Sequence, residues 1–238
     1  MLDNYLIENI LFIDIETVPQ VSDFEELDAE SKILWDKKSV YFREKEQTPA
    51  DVYQRAGIYA EFGKIICISA GFVLKKGNVR LFRIKSFYEK DEKKLLLDFG
   101  NVLTFFFNSK GKLLCGHNIK EFDVPYIARR MLINSLPLPP VLNISGKRPW
   151  EVEMLDTMEL WKFGDYKHYT SLALLTHIMG IPSPKDDIDG SMVADVYYKE
   201  KNIDRIVTYC EKDVFATAQL FLRLKGEELL DSENIVIV

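Results

Sequence analysis

The order of hydrophobic patterns along this 238-residue chain is the feature that most constrains its fold. Two strand-like segments, Lys64 to Leu74 and Val79 to Ile84, are separated by a short turn and predict a β-hairpin. Further on, helical patterns such as Asp91 to Asn108 alternate with short apolar strands such as Lys112 to Cys115. This order predicts an α/β fold in which helices cover a mixed sheet.

The remaining elements follow from the same periodicities. We predict further strands at Asn9 to Ile15 and Val152 to Leu155, and further helices at Phe122 to Leu132, Ser171 to Met179, Ser191 to Lys199 and Ile203 to Lys225. No linker or repeat divides the sequence. Residues 1–238 are therefore predicted to form one domain, with a mostly helical insertion at about residues 20–62.

The composition of the chain speaks against a DNA-coating protein, a zinc site and a membrane protein, but it excludes few other functions. The net charge of −6 speaks against a protein that coats DNA, although it is compatible with an enzyme that grips a few nucleotides. The scattered cysteines Cys67, Cys115 and Cys210 predict buried free thiols, and the three histidines give no zinc-site spacing with them. With no signal peptide and no apolar run of membrane-spanning length, we expect a soluble, cytoplasmic protein.

Two acidic residues, Asp14 and Glu16, follow the apolar segment Leu11 to Ile13. Residues two apart on a strand point to the same face of the sheet. Two carboxylates on one face favour a divalent cation between them, because oxygen ligands bind such ions. Taken alone, the pair is better explained as the solvated end of a strand.

Two later segments also carry acids at informative positions. Asp123 begins a predicted helix, where an acid also interacts favourably with the helix dipole. Tyr209 and Asp213 are four residues apart in the last long helix, so they share one helix face. Each segment alone is compatible with ordinary surface residues. Asp156, with Glu159 three residues later, predicts a capping box rather than a further metal ligand.

Together these segments resemble the three exonuclease motifs of the DEDD superfamily, also called DnaQ-like. The motifs are present as Asp14-Ile15-Glu16, as Asn118 with Phe122-Asp123, and as Tyr209 with Asp213. Thr208 stands where the histidine subtype has its base, so the chain resembles the tyrosine subtype. The stretches Leu155-Asp156-Thr157 and Ser183 to Ser191 further resemble predicted exonucleases related to the proofreading domain of family B polymerases.

The resemblance implies a ribonuclease H-like fold, with a mainly five-stranded mixed sheet and helices on both faces. It also implies two divalent cations, Mg²⁺ or Mn²⁺, held roughly 3.5–4 Å apart by four carboxylates. Asp14, Glu16 and Asp213 would hold the first ion, and Asp14 with Asp123 the second. Tyr209 would orient the water that attacks the terminal phosphodiester, releasing nucleoside monophosphates.

The expected substrate is the 3′ end of a single-stranded nucleic acid, with DNA favoured over RNA. We expect substrate contacts from Thr17, Val18, Asn118 and Phe122, although core packing explains Phe122 equally well. A proofreading role would require a replication or repair protein as partner. Two alternatives stay open at this point, namely an RNA-trimming 3′–5′ exoribonuclease and a non-catalytic nucleic-acid-binding module on the same fold.

Overall fold

A mixed β-sheet forms the centre of the protein. The structure is a computed structural model that describes residues 2–165, 169–182 and 188–238. Within these residues the sheet has six strands: β1 Ile10–Pro19, β2 Gly63–Lys76, β3 Val79–Phe87, β4 Leu113–Gly116, β5 Met154–Asp156 and β6 Ile235–Ile237. Their order across the sheet is β5-β4-β1-β2-β3-β6. β1, β2 and β3 pair antiparallel, whereas β4, β5 and β6 join through parallel pairings.

Helices cover both faces of this sheet. The described α-helices are α1 Ala29–Ser39, α2 Glu92–Phe106, α3 Asp123–Ile133, α4 Thr157–Lys162, α5 Leu172–Ile178, α6 Val193–Asp195 and α7 Ile203–Lys225. α6 continues directly into a π-helix, Val196–Glu200. Short 3-10 helices lie at Ile7–Asn9, Phe24–Glu26, Tyr53–Ile58, Pro140–Leu142, Pro149–Glu151 and Ser232–Asn234. No helix in the described ranges is both long and apolar enough to cross a membrane.

The side chains of β1 alternate between the two hydrophobic cores. Leu11, Ile13 and Ile15 pack with α2 and α3 on one face of the sheet. Ile10 and Phe12 pack with α7 on the other face. Because the side-chain period of a strand is two, the residues at positions 14 and 16 also face α7. The register of the first strand therefore directs both acids of the first motif toward the last long helix.

The observed fold confirms the predicted α/β class, with a mixed sheet flanked by helices. The expectation of mainly five strands is corrected by β6, which adds a sixth strand beside β3. β6 has only three residues, and Val236 and Ile237 are exposed, so its sequence carries no alternation that marks a strand. α7 has the predicted bounds, because Gly226 with φ 79° ends it in the left-handed conformation.

The region between β1 and β2 is less helical than its sequence predicts. It contains one α-helix, α1, together with 3-10 turns and loops. Trp35 lies fully buried at its centre, surrounded by aromatic rings, and donates a 2.9 Å hydrogen bond to the carbonyl of Pro49. The rings packed around it belong to Phe42, Tyr53, Tyr59 and Phe62. The region is thus organised by aromatic side chains packed around Trp35, and it has fewer regular helices than expected.

Candidate active site

The first motif lies where β1 leaves the middle of the sheet. Asp14 pairs with Ser69 and Glu16 with Cys67 on β2, and the pairing register shifts directly after Glu16. Such a bulge re-aims side chains and is common beside active sites. Asp14 is partly buried and Glu16 is only 8% exposed. The strand therefore holds two carboxylates on one face in surroundings that contain little water.

Helix α7 supplies the groups that face these two acids. Cys210 is fully buried, and its Sγ lies 3.4 Å from both the carbonyl oxygen and Oδ2 of Asp14. One ligand atom each from Asp14, Glu16 and Cys210 lie within 4.8 Å of one another. Tyr209 lies beside the Asp213 carboxylate on the same face of α7, and burial together with the charge of Asp213 raises the pKa of its phenol. The packing of α7 on the sheet thus brings the first and third motifs together.

Asp123 reaches the same cluster from the first turn of α3. Asp123 is 3% exposed, and its carboxylate lies near the backbone N–H of Ile15, which lowers its pKa against the larger effect of burial. Ile15 is the residue between the two acids of the first motif. The start of α3 therefore lies against β1. After β1 and α7, it is the third element beside Asp14 and Glu16.

The electrostatics show that the four carboxylates share one environment. Burial, followed by the charges of Glu16, Asp213 and Asp123, holds the pKa of Asp14 well above its usual range. Burial and the charges of Asp213, Cys67 and Asp123 likewise raise the pKa of Glu16. Burial raises the pKa of Asp123 to about 7. These shifts are what unneutralised, closely spaced acids produce.

Glu16 gives a direct test of whether a cation fits here. Within the described residues, its buried carboxylate has neither a hydrogen-bond donor nor an ion-pair partner. A buried charge of this kind is costly unless it is paired or coordinates a metal. Mg²⁺ and Mn²⁺ prefer oxygen ligands, and the carboxylates of the cluster supply several of them. The residues present therefore fit a divalent cation, which would neutralise the cluster.

Asp156 has the structural role that its sequence context predicts. It caps α4, and its carboxylate accepts hydrogen bonds from the N–H of Met158 at 3.0 Å. It also accepts from the N–H groups of Asn118 at 2.9 Å and Lys120 at 3.2 Å. The capping-box part of the prediction was wrong, because the Glu159 carboxylate pairs with Lys120 Nζ at 2.7 Å. Through these hydrogen bonds, Asp156 stabilises the conformation of the loop that carries the second motif.

His117 is a hydrogen-bonding histidine, as its lack of ligand spacing predicts. Nδ1 lies 2.9 Å from Thr157 Oγ1, and Nε2 lies 2.8 Å from the carbonyl oxygen of Thr170. Burial lowers the pKa of His117, which favours the neutral ring. The histidine therefore connects the second motif to the segment before α5.

The predicted substrate contacts occupy different environments. Val18 is 0% exposed in an apolar cluster and pairs with Lys64 on β2, so neither its side chain nor its backbone is open to a nucleotide in this structure. Thr17 lies near the Tyr126 hydroxyl, which donates a 2.8 Å hydrogen bond to the carbonyl of Gly57, and Phe122 packs against the core with its ring 5.5 Å from that of Tyr126. Asn118 has φ 65°, and its Oδ1 is buried without a hydrogen-bond partner in the described structure. All four contacts stay predictions.

Tyr169 is a site residue that sequence reasoning missed. Its side chain is 65% exposed, and its ring meets that of His117 edge-on at 6.2 Å between centroids. Partial burial and the charges of Asp123, Asp14 and Asp213 raise the pKa of its phenol. The ring therefore stands at the rim of the acid cluster. No motif or spacing marks it, because its position depends on the contact between His117 and Thr170.

Part of the sequence interpretation lies outside the described residues. This applies to His168 and to residues 183–187, the larger part of the Ser183 to Ser191 stretch. Asp189, which is described, accepts a 2.8 Å hydrogen bond from the N–H of Ser191 and so forms a turn before α6. The three cysteines are free and buried, as expected.

Comparison with known proteins gives a family match that covers most of the chain. Residues 58–234 match the model of a family described as "Predicted 3'-5' exonuclease related to the exonuclease domain of PolB". The matched range includes Asp123, Tyr209 and Asp213, whereas Asp14 and Glu16 precede it. None of the curated proteins compared with the chain matches it.

Proposed function

This chain belongs to the family of predicted 3′–5′ exonucleases related to the exonuclease domain of PolB, and on that premise we propose a two-cation mechanism for it. The membership supports a hydrolase that acts on nucleic acid. We propose in addition that Asp14, Glu16, Asp123 and Asp213 form its catalytic centre. The observation that carries this proposal is the convergence of three separate elements on one buried acid cluster, in which Glu16 lacks a partner among the described residues.

The four carboxylates divide into two ligand sets. Asp14, Glu16 and Asp213 would hold one divalent cation, and Asp14 with Asp123 would hold the other. When bound, Mg²⁺ or Mn²⁺ would lower the pKa of water and stabilise charge on the phosphate oxygens. The contribution of the protein is to orient the carboxylates, and β1 does so through its register and its bulge, whereas the bound cations would keep them ionised.

Tyr209 is proposed to orient the attacking water. Burial, followed by the charges of Asp213, Glu16 and Asp14, raises the pKa of its phenol. The phenol therefore keeps its proton at neutral pH and cannot act as a general base. A protonated phenol oxygen keeps its lone pairs, so it can accept a hydrogen bond from water beside the Asp213 carboxylate. Positioning rather than proton abstraction is the role that this environment supports.

We propose single-stranded DNA with a free 3′ end as the substrate. A net charge of −6 speaks against the extended basic face that duplex binding usually uses. A few unpaired nucleotides need only a short groove and an aromatic ring for stacking, and the exposed ring of Tyr169 stands beside the acids. DNA is favoured over RNA because the family is related to the exonuclease domain of PolB.

The test uses single strands of DNA and of RNA labelled at the 5′ end, each with a free or a blocked 3′ terminus. With Mg²⁺ or Mn²⁺, a ladder that shortens one nucleotide at a time on free DNA, and that is lost with the block or with excess chelator, supports the proposal. Internal cuts would indicate an endonuclease, and faster digestion of RNA would indicate an RNA-trimming enzyme.

Two variants connect that activity to the acid cluster. Asp14→Asn should abolish digestion, whereas Asp98→Asn, a matched change at an exposed acid on α2, should leave it unchanged. Normal digestion by Asp14→Asn would place the active site elsewhere.

A further inference from the structure

A thiol lies among the carboxylates of the acid cluster. Cys210 Sγ is 3.4 Å from Asp14 Oδ2, and it lies within 4.8 Å of a Glu16 carboxylate oxygen as well. The Cys210 side chain is fully buried and also contacts the Cys67 thiol behind it. The cluster therefore offers one sulfur donor in addition to its oxygen donors.

An independent observation indicates that this cluster takes a ligand. Glu16 is more than nine-tenths buried, and no described residue donates a hydrogen bond to its carboxylate. Its electrostatic interactions are with Asp213, Cys67 and Asp123, so the group faces the other acids and the thiols. A buried carboxylate in this position needs a cation rather than a further hydrogen-bond acceptor.

We propose that Asp14, Glu16 and Cys210 form a site for a thiophilic divalent cation, Zn²⁺ or Cd²⁺. A tetrahedral Zn²⁺ with one sulfur at about 2.3 Å and one oxygen at about 2.1 Å holds those two ligand atoms about 3.5 Å apart. The Sγ to Oδ2 distance of 3.4 Å in the protein matches this edge. The Glu16 ligand atom lies within 4.8 Å of both, so it is placed to complete the set.

Binding breaks the Sγ–H bond of Cys210 and forms a bond between Sγ and the metal. The proton leaves to solvent, and neither sulfur nor metal changes oxidation state. Mg²⁺ and Mn²⁺ prefer oxygen ligands, so the thiol stays protonated when they bind. Zn²⁺ and Cd²⁺ gain the thiolate as an additional ligand and should displace the harder ions. The resulting inhibition of digestion rests on the proposed function, whereas the binding itself does not.

The first test needs only the wild-type protein. Metal-free chain is loaded with one equivalent of Cd²⁺, and X-ray absorption at the cadmium edge identifies the atoms bound to it. We expect one sulfur together with oxygen neighbours. A shell that contains no sulfur overturns the proposal, whatever the behaviour of any variant.

Variants identify which cysteine supplies the sulfur. Cd²⁺ titration should produce a thiolate-to-metal charge-transfer band in wild type and in Cys115→Ser, a matched change of a buried thiol on β4 outside the cluster. Cys210→Ser should lose this band, and excess Mn²⁺ should diminish it in wild type. A band that persists in Cys210→Ser overturns the assignment.

These measurements contain no nucleic acid, so their outcome is separate from that of the proposed function. A protein that binds Cd²⁺ through Cys210 but digests no strand would retain this site and lose the proposed nuclease. An active nuclease without a sulfur–cadmium bond would retain the proposed function and lose this site.

Discussion

The Tyr209 phenol lies beside the Asp213 carboxylate, one helical turn further along α7, and burial together with the charge of that carboxylate raises the pKa of the phenol. This arrangement sets the phenol beside the acid cluster, where we expect its oxygen to orient water. Removal of the hydroxyl alone, in Tyr209→Phe, should preserve packing and abolish that orientation.

We therefore expect Tyr209→Phe to lower kcat by about 10²- to 10⁴-fold and to change KM little. Steady-state kinetics on a 5′-labelled single strand give both constants. Tyr88→Phe, at a half-exposed tyrosine outside the cluster, serves as the control and should resemble wild type. An unchanged kcat in Tyr209→Phe would make this residue a packing residue only.

Replacement of Asp14 or Asp213 by asparagine should remove nearly all activity without unfolding the protein. Each change keeps the shape of a proposed metal ligand and deletes its charge. Asp14→Asn should also raise the Tm of the metal-free protein, because the charges of Glu16, Asp213 and Asp123 no longer repel a carboxylate at that position. Activity assays and thermal unfolding in chelator measure the two effects. A fall in Tm would show that hydrogen bonds of Asp14 outweigh the repulsion.

The stability of the metal-free protein should depend on pH through the same cluster. The pKa of Asp123 is raised to about 7, whereas an aspartate in an unfolded chain titrates near about 3.9. A folded-state pKa above the unfolded one means that this contribution is complete below about pH 4 and is lost as the pH rises through about 7. The pKa values of Asp14 and Glu16 are raised too, which adds to the same trend.

We accordingly expect the Tm in chelator to fall between about pH 4 and about pH 7. Saturating Mn²⁺ should reduce this fall, and Asp123→Asn should make it shallower. The measurement is thermal unfolding across that pH range with and without metal. An equally steep fall in Asp123→Asn would assign the pH dependence to other groups.

Tyr169 should contribute to substrate binding through its exposed ring. Stacking of one base on an aromatic side chain contributes about 1–3 kcal/mol, so Tyr169→Ala should weaken binding of a single strand about 5- to 150-fold. Tyr169→Phe should bind nearly as well as wild type, because the ring remains. Binding is measured by fluorescence anisotropy with Asp14→Asn as background, which prevents digestion. Phe105→Ala, at an exposed aromatic on α2, is the matched control.

If Tyr169→Phe weakens binding of the single strand more than expected, the hydroxyl beside the acids, and not stacking of the ring, would account for the loss of affinity. No loss in either Tyr169 variant would remove this residue from the binding site.

Local periodicity accounts for those parts of the site that the sequence alone determined. Asp14 and Glu16 share a strand face because side chains alternate along a strand, and Tyr209 and Asp213 share a helix face because they are four residues apart. Asp156 caps α4 because its side chain reaches the N–H groups of Met158 and Glu159, two and three residues further on. These relationships depend only on neighbours in the chain, and the helices and strands that carry them were predicted for the same reason.

Tertiary packing decided the remainder. Cys210 meets Asp14 across 196 positions of sequence, and the Tyr169 ring stands beside the acids because His117 holds the carbonyl of Thr170. The short strand β6 exists only because β3 presents an edge for it to pair with. Contacts of this kind depend on how α7, β1 and the loops are brought together, and no short segment of sequence encodes that arrangement. The sequence by itself thus determined which side chains share a face, and the packing of the elements determined which faces meet.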